Sequence, residues 1–410
     1  LIDDFYYEAA YEGYTIQTLS GGPADTVIIT VNGTPDSSIA INWGDSLSSN
    51  ASDFTGSTIE HTYSNVSEND TMDISVSCSN EFNVDYGGIL ELTSWGNNPW
   101  YSGLFFANFI KSITTFSETN IPTFKNTGTV SIGHSSVSGA YGATPDVTGW
   151  DVSNVTDLSN CFQGCNTFNQ PIGSWNTSNV TNLSNCFIEC TVFNQPIGSW
   201  DTSNVVSMAN MLRNANNFNQ PVNSWDVSSV TDMSSLFYYN QNFNQPVNSW
   251  DVSNVTDMNN TFALCFAFNQ PLNSWDVSSV TSMSYMLIGC RPFNHPLNSW
   301  DVSSVTDMSS LFHGTHAFNQ DISNWDVSNV TNMKSVFNGA QGFNQPLNSW
   351  DTSSVYTMEY MFRDANLFNQ EIRNWNVANV TRFGNMFQGA TSMINVYSAP
   401  ATPTASFFNQ

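Results

Sequence analysis

Basic residues are scarce in this chain. Its 410 residues include 8 Lys and Arg against 34 Asp and Glu, a formal net charge of −26, and no basic residue precedes Lys111. Such a surface repels phosphate backbones and anionic membranes, which excludes nucleic acid as a partner. It suits high ionic strength, divalent cations, or basic and neutral partners. Long apolar runs are missing too: no stretch of about 18 apolar residues occurs, so no segment reads as a membrane span. Histidine is limited to His61, His134, His295, His313 and His316. His313 and His316 stand three apart without a third ligand, which argues against a zinc-type site. No nucleophile elbow, phosphate loop or HExxH phrase appears, so no enzyme is expected. Total charge is low, at 10%, while Asn, Ser, Thr and aromatic residues abound. That profile reads as extracellular, at a cell surface or on an appendage. The first residue is Leu1 rather than Met, and a processed mature form is expected.

What the chain does have is tryptophan at a fixed interval. Trp150, Trp175, Trp200, Trp225, Trp250, Trp275, Trp300, Trp325, Trp350 and Trp375 are each 25 residues apart, without insertion or deletion. A period of this length, kept without slip, marks each repeat as one coil of a solenoid. Equivalent residues of successive coils then lie above one another, and the sequence reads as columns.

In the repeat from Phe268 to Asn294, Pro271 sets a turn, and Leu272, Trp275, Val277 and Val280 are the apolar positions of an extended segment. Thr281 is placed to N-cap a short helix whose apolar face is Met283, Met286 and Leu287. Each coil is thus expected to hold one short strand and one short helix. Strands of successive coils are expected to pair in parallel, about 4.8 Å apart. A Phe column (Phe168 to Phe368) and a Phe/Leu column (Phe162 to Phe387) supply the interior. An unbroken Asn column, Asn169 to Asn369, is suited to hydrogen-bond its own turn and the next coil. The fold class is mainly β with short helices: a right-handed solenoid of about ten 25-residue coils behind a small β-sandwich.

Five regions follow. Residues 1–19 form an arm or first strand, 20–88 a small β-sandwich, 89–149 the N-terminal cap, 150–392 the repeats, and 393–410 a linker and tail. The β reading of 20–88 rests on VIITV, IAINW and DISVSCS between turn-forming clusters. The cap is expected because an open solenoid end exposes core and strand edges. The tail stops on Phe408-Asn409-Gln410, the phrase that opens a coil elsewhere. This end therefore reads as cut inside a longer array or as meeting something else.

The phrase FNHPLNSWDVSSVTDMSSLF (293–312) and its copies resemble the 25-residue variant of the BspA-type leucine-rich-repeat surface proteins. Residues 89–149, notably Trp95-Gly96 and Trp100, resemble the non-repetitive entry of such proteins. Residues 39–63, through Trp43-Gly44-Asp45 and His61-Thr62-Tyr63, resemble a PKD-like module, with Ser46 where Gly is usual. The resemblance implies an extracellular, non-catalytic protein acting in adhesion. Expected partners are a protein or glycan at a cell surface, or copies of the chain itself in a fibre, sheath, appendage or virion decoration.

Three sets of residues are candidates for function. The Asp column (Asp201, Asp226, Asp251, Asp276, Asp301, Asp326 and Asp351, preceded by Asp151) is expected on the outer face. Carboxylates stacked near 5 Å repel by about 1 kcal/mol per pair near water. Either turn and Ser donors offset this, or the column is a ligand-facing acidic stripe that admits Ca²⁺. A second, broken stripe, Asp157, Asp232, Asp257 and Asp307, falls where a helix dipole favours it. Cysteines occur as column neighbours, which leaves either disulfides (Cys161–Cys186, Cys165–Cys190, Cys265–Cys290) or buried thiols, with Cys78 over. Glycosylation candidates are Asn32, Asn50, Asn65, Asn69, Asn154, Asn179, Asn254, Asn329 and Asn379, with further sequons at Asn176, Asn182 and Asn259. Several simply follow from the repeat phrase Asn-Val-Thr.

Overall fold

The computed structural model describes residues 7–8, 14–19, 26–31, 40–43, 47–53, 55, 58–62, 71–77, 81–86, 89–94, 104–105, 110–113, 130–131, 147–150, 152–153 and 155–408. Two compact units divide the chain, 1–182 and 183–410.

The strands of the first unit are β1 (Tyr7–Glu8), β2 (Tyr14–Leu19), β3 (Thr26–Val31), β4 (Ala40–Asn42), β5 (Ser48–Asn50), β6 (Thr58–Thr62), β7 (Thr71–Ser77), β8 (Glu81–Tyr86), β9 (Ile89–Ser94), β10 (Leu104–Phe105), β11 (Ile110–Ile113) and β12 (Val130–Ser131). They form a four-stranded sheet in the order β1-β8-β3-β6, a six-stranded sheet in the order β11-β9-β2-β7-β4-β5, and the pair β10-β12. Of the two readings of residues 1–19, arm or strand, Tyr14–Leu19 follows the second: β2 lies inside the six-stranded sheet, antiparallel to both β7 and β9. The expected boundary at residue 88 is crossed as well, since β9 belongs to the same sheet. On its other side β9 pairs in parallel with β11, with Ile110 opposite Leu90. Strand β10 is parallel to β12, with Leu104 opposite Val130. Parallel pairing at about one coil length thus begins inside the segment expected to be a cap. Trp43 is buried, and its N–H donates to the Leu47 carbonyl at 3.0 Å; Gly44, Asp45 and Ser46 lie outside the described residues. In the same unit the coil from Trp150 meets the next: Asp157 forms a parallel bridge with Asn182, and the Trp150 and Trp175 rings stack at 6.5 Å.

The second unit is a stack of 25-residue coils, and its register follows the columns. Parallel bridges join Ser207, Asp232, Asp257, Ser282, Asp307, Asn332, Thr357 and Arg382, each to the next. Adjacent rings of the Phe column from Phe193 to Phe368 lie 5.8–6.4 Å apart and nearly coplanar or parallel. Rings in such stacks add about 0.5–1.5 kcal/mol per pair beyond their burial. Where the residue six positions earlier is also Phe, the two rings stack, as Phe243 does on Phe237 at 3.9 Å.

The expected strand and helix within each coil are replaced by turns. In the Phe268–Asn294 coil, Trp275 N–H returns to Leu272 and Val280 N–H to Val277, so the apolar residues open and close tight turns. Beyond them, Met286, Ile288 and Cys290 donate to residues three positions back, whereas Met283, Tyr285, Leu287 and Gly289 donate to Asp307, Ser309, Leu311 and His313 of the next coil. A helix would close every N–H internally and leave the coil without a backbone partner. Positive φ at Tyr285 (59°) and Gly289 (73°) enforces the alternation, and the same two positions are positive in coil after coil. Met283, Met286 and Leu287 still share one buried face, which is why their spacing imitates a helix. Thr281 caps nothing: its N–H and Oγ1 both donate to the Thr256 carbonyl of the preceding coil, at 3.0 and 3.2 Å.

The C-terminal segment covers the last coil. Helix α1 (Thr391–Tyr397) leads into a return stretch in which Ala401 O accepts from Phe387 N–H and Thr402 Oγ1 from Asn385 N–H. In other coils these donors meet the residue 24 positions on. Phe407 and Phe408 are buried against Phe387 and Phe383, at 5.6 and 5.5 Å between ring centres. Residues 401–408 thus pack over the coil that holds Phe383 and Phe387.

Candidate functional site

The outward face of the second unit is built from four hydrogen-bonded columns. In the Asp column each exposed carboxylate accepts from its own turn. Asp201, Asp226, Asp251, Asp276, Asp301, Asp326 and Asp351 take the N–H of the Ser two residues on at 2.9–3.1 Å. Ser203, Ser228 and Ser253 add their hydroxyls at 2.6–2.7 Å. These donors hold the carboxyls of Asp201, Asp226, Asp276, Asp326 and Asp351 below the usual carboxylate range. The neighbouring carboxylate pushes the other way at Asp201 and Asp351, the repulsion expected of a stacked column. The stripe is therefore present, with one oxygen of each member engaged in a turn. Asp151 lies outside the described residues. Among the described residues no group of three or more His, Cys, Asp or Glu side chains is placed to hold a metal ion.

The second stripe also closes local turns rather than helix ends. Asp157, Asp232, Asp257 and Asp307 each accept the N–H two residues on, at 2.7–2.8 Å.

The sequon positions form part of an inter-coil ladder. Asn254, Asn329 and Asn379 are exposed, and each Nδ2 donates at 2.7–2.8 Å to the carbonyl 26 residues earlier. In the first unit Asn179 does the same toward Ser153. Nδ2 is the atom a glycan would occupy, and attachment leaves it one hydrogen for this bond. Asn50 ends β5, and Asn32, Asn65, Asn69 and Asn154 lie outside the described residues. The unbroken Asn column behaves as expected across coils: Asn219 Oδ1 accepts from Asn244 N–H and Gln245 Nε2, at 3.0 and 3.1 Å.

Of the two arrangements expected for the cysteine columns, Cys265 and Cys290 show the buried free thiols. Each Sγ–H points back one coil, donating to Phe237 O at 3.0 Å and Phe262 O at 3.2 Å. Thr315, next in this column, makes the same bond to Leu287 O at 2.7 Å. The column position is thus a donor position, and a disulfide would remove both donors. Burial pushes the Cys165 thiol up to about 12 and raises Cys265 and Cys290 well above the ordinary value. All six cysteines of the repeats are buried, and Cys78 lies outside the described residues.

One surface feature escaped sequence reasoning. The basic residues looked scattered, yet five of them lie over aromatic rings, four from neighbouring segments of the stack. Arg213 covers Tyr238 and Arg291 covers Phe266, both at 4.9 Å, and Arg373 covers Tyr397 at 5.0 Å. Lys334 and Arg363 share Tyr360. Two of these pairs join into one strip, because Tyr238 lies 6.4 Å from Tyr239 and Tyr239 lies 6.3 Å, edge-on, from Phe266. The signal was in the columns: Tyr239 and Leu264 stand where Gly289, Gly314, Gly339 and Gly389 stand in other coils.

The family described as "Mycoplasma protein of unknown function, DUF285" matches residues 134–234, 220–305 and 292–399, together more than half of the chain. No curated protein and no solved structure matches it.

Proposed function

The chain belongs to the DUF285 family, and from that premise we propose that it is a non-catalytic extracellular surface protein that recognises other molecules through a solenoid face. Its repeats form a right-handed, leucine-rich-repeat-like solenoid, and its ligand is a protein or glycan at a cell surface. The observation that carries this reading is the outer face itself. Asp, Ser and Asn groups recur there at one-coil intervals, each fixed by a hydrogen bond to its own turn or to the coil before. Identical groups in fixed register favour many weak contacts that act together, and avidity rather than a deep pocket supplies strength. The resemblance to BspA-type surface proteins and the acidic, lysine-poor composition support an extracellular setting.

The rival reading, a subunit of a fibre or sheath, drew on a free N-terminal arm and an open last coil. Both are engaged within the chain, β2 in a sheet and residues 399–408 over the final coil. Size-exclusion chromatography and negative-stain imaging, combined with adhesion to immobilised cells, test the choice. Particles that stay single and adhere support recognition. Ordered polymers without adhesion would overturn it.

A further inference from the structure

The strip Arg213–Tyr238–Tyr239–Phe266–Arg291 joins two of the cation–ring pairs. It crosses four coils as an unbroken line of guanidinium and ring contacts. Three rises of a parallel stack make it about 15 Å long.

Its central ring is held at a conformational cost. Tyr239 has φ 57° and Leu264 φ 60°, while the equivalent Gly289, Gly314, Gly339 and Gly389 occupy the same left-handed region without a side chain. A bulky residue there is strained, and such strain concentrates at functional sites. The Tyr239 ring is not repaid by burial, because it is exposed, at 36%. Within the strip the Nε donor of Arg213 is buried with no partner. Buried groups of this kind are normally satisfied by a ligand or an ordered water.

We propose that this strip is a binding site for an uncharged oligosaccharide. The proposal rests on the recognition reading above and gives it a ligand class and a location. Charge selects the occupant. The net charge of −26 disfavours a polyanion at long range, and the two guanidinium groups at the ends disfavour a cationic peptide at contact. The exposed face of Tyr239 carries negative quadrupole and accepts the positively polarised C–H face of a pyranose. Sugar hydroxyls accept as well as donate, which suits the unpartnered Nε donor of Arg213.

Isothermal titration of the full chain with maltohexaose, cellohexaose, chitohexaose and xylohexaose tests this, with a heparin hexasaccharide and hexa-arginine as charged comparisons. At least one uncharged hexasaccharide is expected to bind, and neither charged probe to bind more tightly. Tyr239→Gly supplies the residue the sister coils already use. It is expected to keep or raise the melting temperature while weakening binding tenfold or more. Leu264→Gly relieves the same kind of strain without removing a ring, and is expected to bind as the parent does. No binding of any of the four uncharged probes overturns the proposal, as does preference for a charged probe. So does unchanged affinity in Tyr239→Gly, or a lowered melting temperature that assigns the ring to the fold. Adhesion of the parent chain to cells that persists in Tyr239→Gly would leave the broader recognition reading standing while this strip fails.

Discussion

The indole Nε1 of Trp225 donates at 3.0 Å to the carbonyl of Ile197, a residue 28 positions earlier in the chain. The same bond recurs from Trp250, Trp275, Trp300, Trp325, Trp350 and Trp375, at 2.9–3.2 Å, always to the apolar residue that opens the preceding coil's turn. Each tryptophan thus fills the interior of its own coil and fastens its polar atom to the backbone of another. This explains why tryptophan, and not Phe, recurs at this position. Phe fits the volume only in part and removes one of the two donors to a buried carbonyl, leaving the Trp200 N–H alone on Ile197 O.

Trp225→Phe is accordingly expected to destabilise the chain by about 2–4 kcal/mol, from the lost hydrogen bond plus the space left by the smaller ring. Urea denaturation followed by circular dichroism measures it. A midpoint within error of the parent would show that the Trp200 N–H alone satisfies the Ile197 carbonyl and that the smaller ring leaves no costly space. Because coils couple mainly to neighbours, hydrogen exchange should place the loss in the coils around 197–250 rather than evenly over the unit.

The register of the stack was legible in the sequence because the period never slips, and Trp225 to Ile197 is the result in atoms. The interior was legible for the same reason: the Phe columns run where the letters place them. The backbone within a coil was not. Met283, Met286 and Leu287 have the spacing of a helical face, and nothing in their identity says that Tyr285 adopts positive φ. Tyr is a poor marker for that region, while Asn in the same column of other coils is a good one. The limits of the first unit were missed because Tyr14–Leu19 and Ile89–Ser94 owe their strand state to partners far away in sequence. The cysteine columns were legible as columns only; their direction, back toward a carbonyl, is a property of the turn that carries them.

Acid should loosen the outer face. The carboxyls of Asp201, Asp226, Asp276, Asp326 and Asp351 titrate below the ordinary value of 3.8, because Ser hydroxyl and N–H donors favour the charged form. A depressed folded-state value contributes stability that is present above the unfolded value and lost as pH falls through the folded one. The melting temperature is therefore expected to be flat above about pH 5 and to fall below the ordinary carboxylate range. Each group is highly exposed, so the effect per residue is small and only the column sum is visible. Ser228→Ala should move the Asp226 titration, read from its carboxyl carbon by NMR, back toward 3.8. An unmoved titration would remove the hydroxyl from the account.

Truncation before Ala399 should open the final coil. Ala401 O and Thr402 Oγ1 would no longer meet the N–H groups of Phe387 and Asn385, and the burial of Phe407 and Phe408 would be lost. Burial of each ring stabilises by about 1.5–3 kcal/mol. Faster hydrogen exchange at Phe387 and Asn385, with exchange at Met233 unchanged, is the expected outcome. Uniform loss of protection along the unit would mean that this segment supports the whole stack rather than its end.

Alkali should act through the thiol column. Burial raises Cys165 from 9.0 to about 12 and also raises Cys265 and Cys290, because the low-polarity interior disfavours the thiolate. The folded form holds these protons after the unfolded form has released them. Stability from these groups is therefore complete below pH 9 and declines as pH rises toward 12. A thiol-specific reagent at pH 8 should label Cys165, Cys265 and Cys290 only after unfolding. Cys290→Thr follows the example of Thr315 and keeps a donor to Phe262 O, so its cost is expected to stay within about 1 kcal/mol. The variant should also flatten the alkaline decline, since its hydroxyl does not titrate in that range. A decline as steep as the parent's would place the alkaline sensitivity in groups other than Cys290.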